Sequence, residues 1–263
     1  MAKTFQLSDE SILRLKTIAN ISKNSLIARE VFLKNDAKSI LLRTNIVDIP
    51  DDFEMAIFDV GGFLSKYLLF DNPVIDYTNL DNEGHIKIIN KKEKGSKGKN
   101  ESFTVIRWEA EEMKNNYDVE KFANVLKTFQ TYNKFKILWE DIEKNIMKPN
   151  KVLGGTVVKL FTTHENQLEV RVLNHIVPNS DYFDITIEDE ADENEINEGE
   201  LFFYLPSDAL SKLEKVSSYN IYMYKNMEDK AGTERTEKGE CRFVMFENEE
   251  KNLKYIFTRM RIK

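Results

Sequence analysis

A chain of 263 residues is long enough for one large domain or two ordinary ones, each with its own core. Its net charge of -7, from 45 acids against 38 bases, argues against a protein that grips nucleic acid over its whole surface, but leaves room for one basic face on an acidic body. The single cysteine, Cys241, excludes an internal disulfide, and no apolar run approaches the roughly 20 residues of a membrane-spanning helix.

The first helix is predicted over 8–22. Ser8 is a good N-cap, Asp9 and Glu10 follow where the helix dipole favours acids, and Ile12, Leu15 and Ala19 share a face. Strands are expected at 26–33, 38–43 and 53–58. A second helix follows at 60–70, capped by Asp59 and burying Phe63, Leu64, Tyr67 and Leu68. Strands at 85–90 and 103–108 flank the run Lys91–Lys99, which holds five lysines and one glutamate and reads as a solvated connector.

A third helix is expected over 118–132, with Val119, Phe122, Leu126 and Phe129 on one side and Asn124, Lys127, Thr128 and Thr131 on the other. Strands then follow at 135–140, 156–162, 167–173, 182–187 and 200–205. A fourth helix is predicted over 206–217, opened by Pro206 and burying Leu210, Leu213 and Val216. Strands at 219–224, 241–246 and 253–262 close the chain. Hairpin succession with few helices implies α+β architecture with antiparallel sheets. The order helix, strands, helix, strands occurs twice, so two similar domains are expected, 1–107 and 108–263, joined through about 91–117.

The charges are unevenly placed. Acids within the predicted helices lie in or beside the first turns, with Glu214 beyond them, and the densest acidic run is 188–195. Arg14, Lys16, Lys23, Lys66, Lys121, Lys127, Lys134, Lys136, Lys212 and Lys215 lie in the helix bodies or just after them. Helices laid side by side would form one basic surface suited to sequence-independent, salt-sensitive contact with phosphates.

The stretch Asp52-Phe53-Glu54-Met55-Ala56-Ile57-Phe58-Asp59-Val60-Gly61-Gly62-Phe63-Leu64 resembles a strand-to-helix segment of the sliding clamps of T4-like bacteriophages. Asp81-Asn82-Glu83-Gly84-His85-Ile86-Lys87-Ile88 resembles the strand after it; the helix after Leu7-Ser8-Asp9 and the strand around Tyr255-Ile256-Phe257 also fit. The match is carried by residues 3–90, and the second half follows by element order. The resemblance implies a DNA-clamp fold of two similar domains. It also implies a head-to-tail homotrimer with sheets outside and helices lining a central hole, and a non-enzymatic DNA polymerase processivity factor. Implied partners are double-stranded DNA, a DNA polymerase and an ATP-dependent clamp loader, with a further role in phage late transcription and a setting in host bacterial cytoplasm. The DNA-facing set is then Arg14, Lys16, Lys23, Lys66, Lys121, Lys127, Lys134, Lys212 and Lys215. Val105, Trp108, Tyr255 and Phe257 are the candidates for contact with partner proteins. Two departures stand out: no proline lies between Pro73 and Pro149 where the family's connector is proline-rich, and 188–199 is an added acidic stretch.

No metal, cofactor or catalytic residue is expected. His85, His164 and His175 are scattered, Cys241 stands alone, and the acidic run lacks the central glycine of a calcium loop. Gly61-Gly62 reads as a tight helix entry, because the Lys-Ser/Thr of a phosphate loop is missing. Trp108 and Trp139 read as core residues of strands. The alternatives to a clamp are a single-stranded DNA-binding protein, which calls for a basic, aromatic groove on strands, and a phage structural or assembly protein.

Overall fold

The structure, a computed structural model, describes residues 2–35, 37, 39–91, 101–108, 119–127, 131–163, 167–174, 176, 182–187, 201–225 and 240–259. The lysine-rich run at 92–100, most of the expected connector, His164, His175 and the acidic stretch 188–199 lie outside the described residues. The chain forms two compact units. Unit 1 comprises Met1–Asp36 and Arg43–Tyr117, and unit 2 comprises Ala37–Leu42 and Asp118–Lys263.

Unit 1 runs β1 (Thr4–Phe5), α1 (Asp9–Ile21), β2 (Ser25–Ile27), β3 (Glu30–Lys34), β4 (Ile40–Asn45), β5 (Met55–Ile57), α2 (Val60–Leu68), β6 (Pro73–Asp76), one turn α3 (Leu80–Glu83), β7 (His85–Asn90) and β8 (Ser102–Ile106). Its main sheet is antiparallel, in the order β1-β6-β7-β8, and β2 pairs with β5. Strand alternation makes the core: Ile86 and Ile88 of β7 are buried while Lys87 between them is exposed. Phe5, Phe53 and Tyr77 close one end of that core edge to face, with ring centroids 5.1 to 5.7 Å apart.

Unit 2 opens with α4 (Val119–Lys127) and β9 (Thr131–Leu138). A helical segment over 139–153 follows, made of α5 (Trp139–Asp141), a π-helical turn (Ile142–Met147) and α6 (Lys148–Leu153). Then come β10 (Val157–Thr162), β11 (Leu168–Leu173), β12 (Tyr182–Ile187), β13 (Phe202–Pro206), a 3₁₀ turn (Ala209–Lys212), β14 (Ser218–Lys225), β15 (Phe243–Asn248) and β16 (Leu253–Thr258). One antiparallel sheet has the order β9-β14-β15-β16 and the other β12-β11-β10-β13. The 37–42 segment, assigned to unit 2, adds to the outer edge of β16, where the Thr258 N–H donates to the Ser39 carbonyl at 2.9 Å.

The two units repeat one order. Each is a strand, a helical element, four strands, a second helical element and three strands, with α3 an added turn in unit 1. The sheet β1-β6-β7-β8 has its counterpart in β9-β14-β15-β16, formed by the first and last three strands of each repeat. A second backbone detail recurs: the Arg107 N–H donates to the Gly84 carbonyl at 2.7 Å, and the Arg259 N–H to the Arg242 carbonyl at 3.0 Å.

This repeat corrects the helix assignment of the second half. Of the predicted helix at 118–132, the described residues form α4 over Val119–Lys127, while Thr131 and Tyr132 belong to the strand β9. The first helical element of the second repeat is instead 139–153. Its sequence hides it: the apolar residues Phe135, Ile137 and Leu138 read as a strand at 135–140 that takes in Trp139. The π turn absorbs the proline. Pro149 has no N–H to give, and the Lys148 N–H reaches back five residues to the Glu143 carbonyl. Trp139, Ile142 and Ile146 are the buried side of this segment, and Gly154 ends it at a left-handed φ of 59°.

The predicted helix at 206–217 is also corrected. Pro206 is the last residue of β13, paired with Val157, and only Ala209–Lys212 is helical. The chain after Leu213 is extended because two tyrosines hold it: the Tyr255 hydroxyl accepts the Glu214 N–H at 3.0 Å and the Tyr219 hydroxyl donates to the Glu214 carbonyl at 2.5 Å. β1 and β6, too short or too polar to stand out in the sequence, complete the sheet of unit 1.

Candidate nucleic-acid interface

In unit 1, α1 and α2 pack as an antiparallel pair. The Val60 N–H at the start of α2 donates to the Lys23 carbonyl just past the end of α1, at 2.9 Å. At the other end the Tyr67 hydroxyl accepts the Leu7 N–H at 2.7 Å, and burial raises the pKa of this phenol above its ordinary value. Caps fix where both helices begin. The Ser8 oxygen accepts the Ser11 N–H, and the Asp59 carboxylate accepts the Gly62 N–H at 2.8 Å. Phe63, Leu64 and Tyr67 of α2 are buried, each contributing about 1.5–3 kcal/mol relative to exposure.

The outward side of this pair carries Lys16 on α1, Lys23 just past its end and Lys66 on α2, all exposed. Acids of the two helices are confined to the first turn or the cap: Asp9, Glu10 and Asp59. Lys23 reaches over the exposed ring of Phe58, 4.9 Å from its centroid, and Phe58 in turn stacks at 4.6 Å on Trp108. Arg14 does not belong to this face. It is 1% exposed on the buried side of α1, beside Leu15 and Ile18, with Glu10 at 3.4 Å. Leu68, expected in the buried stripe, is exposed.

In unit 2 the π turn packs beside the 3₁₀ turn. The segment 139–153 has all its acids, Glu140, Asp141 and Glu143, at its start, and Lys144, Lys148 and Lys151 after them at spacings of four and three, all exposed. Lys144 donates to Glu140 at 3.0 Å; this bond raises the lysine pKa and lowers that of the glutamate. Lys215 is exposed, with Glu143 at 3.9 Å, and Lys212 is half-buried. The sequence reading missed Lys144, Lys148 and Lys151 because it missed their helix.

The remaining expected positions separate. Lys121 and Lys127 are exposed on α4, which precedes the second repeat and is not one of its helical elements. Lys134 and Lys136 lie on β9, alternating with the buried Phe135 and Ile137; Lys134 sits over the Tyr222 ring at 5.7 Å. Three positions expected to meet partners are core residues instead. Val105 pairs with Ile86 inside unit 1, Tyr255 anchors Glu214, and Phe257 packs edge to face on Phe246 at 5.4 Å; all three are buried. Trp108 alone of that set is exposed, at 38%.

β8 and β12 are two of the sheet-edge strands among the described residues. β8 pairs only with β7, and its Ile106 is 77% exposed. β12 pairs only with β11 and exposes Tyr182 and Phe183. Among the described residues no cluster of three metal-ligating side chains occurs, and no helix is long and apolar enough to cross a membrane.

No protein-family model matches the sequence, and no curated protein matches it. Solved structures match its fold over the whole chain. The PCNA of A. fulgidus, solved with the C-terminal region of FEN-1 bound, superposes with a TM-score of 0.65 over 100% of both chains at 12% identity. The proliferating cellular nuclear antigen of Entamoeba histolytica gives 0.63 over 99% of this chain and 98% of its own, at 10% identity. PCNA from Thermococcus kodakaraensis gives 0.62 over 98% of both chains at 13% identity. These neighbours are sliding clamps, and from end to end the chain has their fold.

Proposed function

We propose that this protein is a sliding clamp: copies of the chain close head to tail into a ring around duplex DNA and hold a DNA polymerase at the primer end. The observation that carries the reading is the doubled repeat, which matches the clamp fold along the entire chain and bears lysines on its helices with acids held back to the first turns. Such lysines suit weak, non-specific phosphate contact, which lets a ring slide.

Ring closure is supported by the edges. The outer edge of β16 is covered by the 39–42 segment within unit 2, whereas β8, its counterpart in the first repeat, has no such cover among the described residues. A second copy's β12 is the partner of matching kind, and a head-to-tail contact of this sort closes when its rotation closes. The proposed ring is a trimer of six repeats with the helical layers facing the hole. A tethered polymerase rebinds at high effective concentration after each dissociation. The resemblance over 3–90 supports a T4-like phage clamp, opened by an ATP-dependent loader in the host cytoplasm. The test is primed synthesis on a circular template with the polymerase and loader of a T4-like phage. Longer products on adding the protein, lost when the template is linear, are expected; unchanged lengths contradict the reading.

One observation favours a second reading, single-strand binding. On the β12-β11-β10-β13 sheet, Lys159 lies 5.0, 5.1 and 5.8 Å from the rings of Phe161, Phe202 and Tyr204. Its neighbour Arg171 is, however, held by Asp184 at 2.6 and 2.8 Å, which removes one of the two cations such a groove would offer.

A further inference from the structure

Three residues far apart in sequence meet at the entrance of α2. Phe58 and Trp108 stack with ring centroids 4.6 Å apart and planes 32° apart, and both residues stay exposed, at 46% and 38%. The Lys23 ammonium lies 4.9 Å from the Phe58 centroid. Backbone bonds beside them hold the group in place: the Val60 N–H donates to the Lys23 carbonyl and the Trp108 N–H to the Ala56 carbonyl, each at 2.9 Å. Elsewhere in unit 1, Phe53, Phe63, Tyr67 and Tyr77 are buried. A stacked pair left in water forgoes the burial its rings would gain in a core, and the surface it offers suits a further flat ring. The charges beside it favour an anion. Arg107, next to Trp108, is exposed, while Asp59, next to Phe58, turns its carboxylate to the Gly62 N–H at 2.8 Å.

We propose that Phe58, Trp108 and Lys23 form a stacking site for an unpaired base of single-stranded DNA. Every nucleobase has a π face, so stacking on an aromatic pair tolerates any sequence, and the phosphates on either side of the base meet Lys23 and Arg107. In a duplex the bases are paired and stacked on one another, which withholds their faces from a side chain. The site therefore selects single strands, as phosphate contact with a duplex does not. Charge also separates a base from the aromatic side chain of a partner protein: two cations flank the rings and the Asp59 carboxylate is held at a helix cap, which favours a polyanion. The site belongs to a single chain. It goes beyond the clamp reading and stands whether or not a ring forms.

The test uses the full chain carrying Trp139→Phe, so that Trp108 is its sole indole. Trp139 is buried and its indole N–H has no hydrogen-bond partner among the described residues, so the change removes no bond described there. Titration with a 12-base oligothymidylate at low salt should quench Trp108 fluorescence to saturation. A blunt 30-base-pair duplex should not quench it, and an unpaired tail added to that duplex should restore the quenching. Phe58→Leu should weaken oligonucleotide binding about tenfold, and Lys23→Gln should weaken it severalfold with a shallower salt dependence. Equal quenching by the blunt duplex, unchanged affinity in Phe58→Leu, or stronger quenching by an acidic peptide bearing a phenylalanine overturns the inference. So does binding that is lost through Lys159→Gln instead, which puts the strand on the β12-β11-β10-β13 sheet. Polarisation of a labelled oligonucleotide, wild type against Trp108→Leu at matched melting temperature, reads the same loss without the Trp139 change.

Discussion

Asp48 accepts two hydrogen bonds from Ser8, one from its backbone N–H at 2.7 Å and one from its hydroxyl at 2.5 Å, while the same hydroxyl oxygen caps α1. The start of α1 is thereby fixed from a residue 40 positions away. Burial alone would raise the Asp48 pKa, but hydrogen bonds from Ser11 and Ser8 outweigh it and the net direction is down. A depressed carboxyl stabilises the fold above its unfolded pKa and loses that contribution as pH falls through its folded value. Asp48→Asn should therefore cost about 1 kcal/mol at pH 7, a figure reduced for the site's exposure to solvent. Urea midpoints of wild type and variant should converge toward pH 3; a gap that widens in acid contradicts the assignment.

Tyr219 and Tyr255 grip the two sides of Glu214, one at its carbonyl and one at its N–H. Either Tyr→Phe change leaves a buried backbone group short of a partner and should cost about 1–3 kcal/mol. Because both act on one residue, the double variant should cost less than the sum. Strict additivity in denaturant unfolding would show that the two hydroxyls act independently.

Gly155 lies where a Cβ would stand 2.3 Å from Asn150 Oδ1 and 2.9 Å from Val172 Cγ1. Gly155→Ala should destabilise by about 1–3 kcal/mol through overpacking at the end of the 139–153 segment. Asn150→Gly in the same chain should recover part of the loss, and a melting temperature unmoved by Gly155→Ala contradicts the packing.

Lys16 and Lys66 are exposed on the packed pair α1 and α2. Reversing both to Glu should shorten polymerase products while leaving thermal stability within about 0.5 kcal/mol. The same exchange at Lys134 and Lys136, which lie on a strand of a sheet, should have much the smaller effect on product length.

Ile106 is exposed on the open edge of β8. Ile106→Asp puts a charge where the proposed seam buries an apolar side chain. It should yield a folded monomer at concentrations where the wild type associates.

Much of the first repeat was legible in the sequence. Ser8 and Asp59 are the caps of α1 and α2, and the predicted stripe Phe63, Leu64 and Tyr67 is buried. The strands expected at 85–90 and 182–187 begin and end at those residues. The second repeat was harder, for local reasons. A proline within the helical segment was absorbed by a π turn, a strong amphipathic pattern belonged to α4 outside the repeat, and a proline-led segment was drawn straight by two tyrosine hydroxyls. The candidate interface followed suit. Lys16, Lys23 and Lys66 are exposed as their helix positions imply. Arg14 is buried because i, i+4 spacing puts it beside Ile18, and Lys144, Lys148 and Lys151 went unseen with their helix.

The mass of the protein in solution, measured by light scattering across a concentration series, tests the ring most directly. The account predicts a species of three chains, 3 × 30.8 ≈ 92 kDa, that persists on dilution. A mass of 30.8 kDa at every concentration would contradict it.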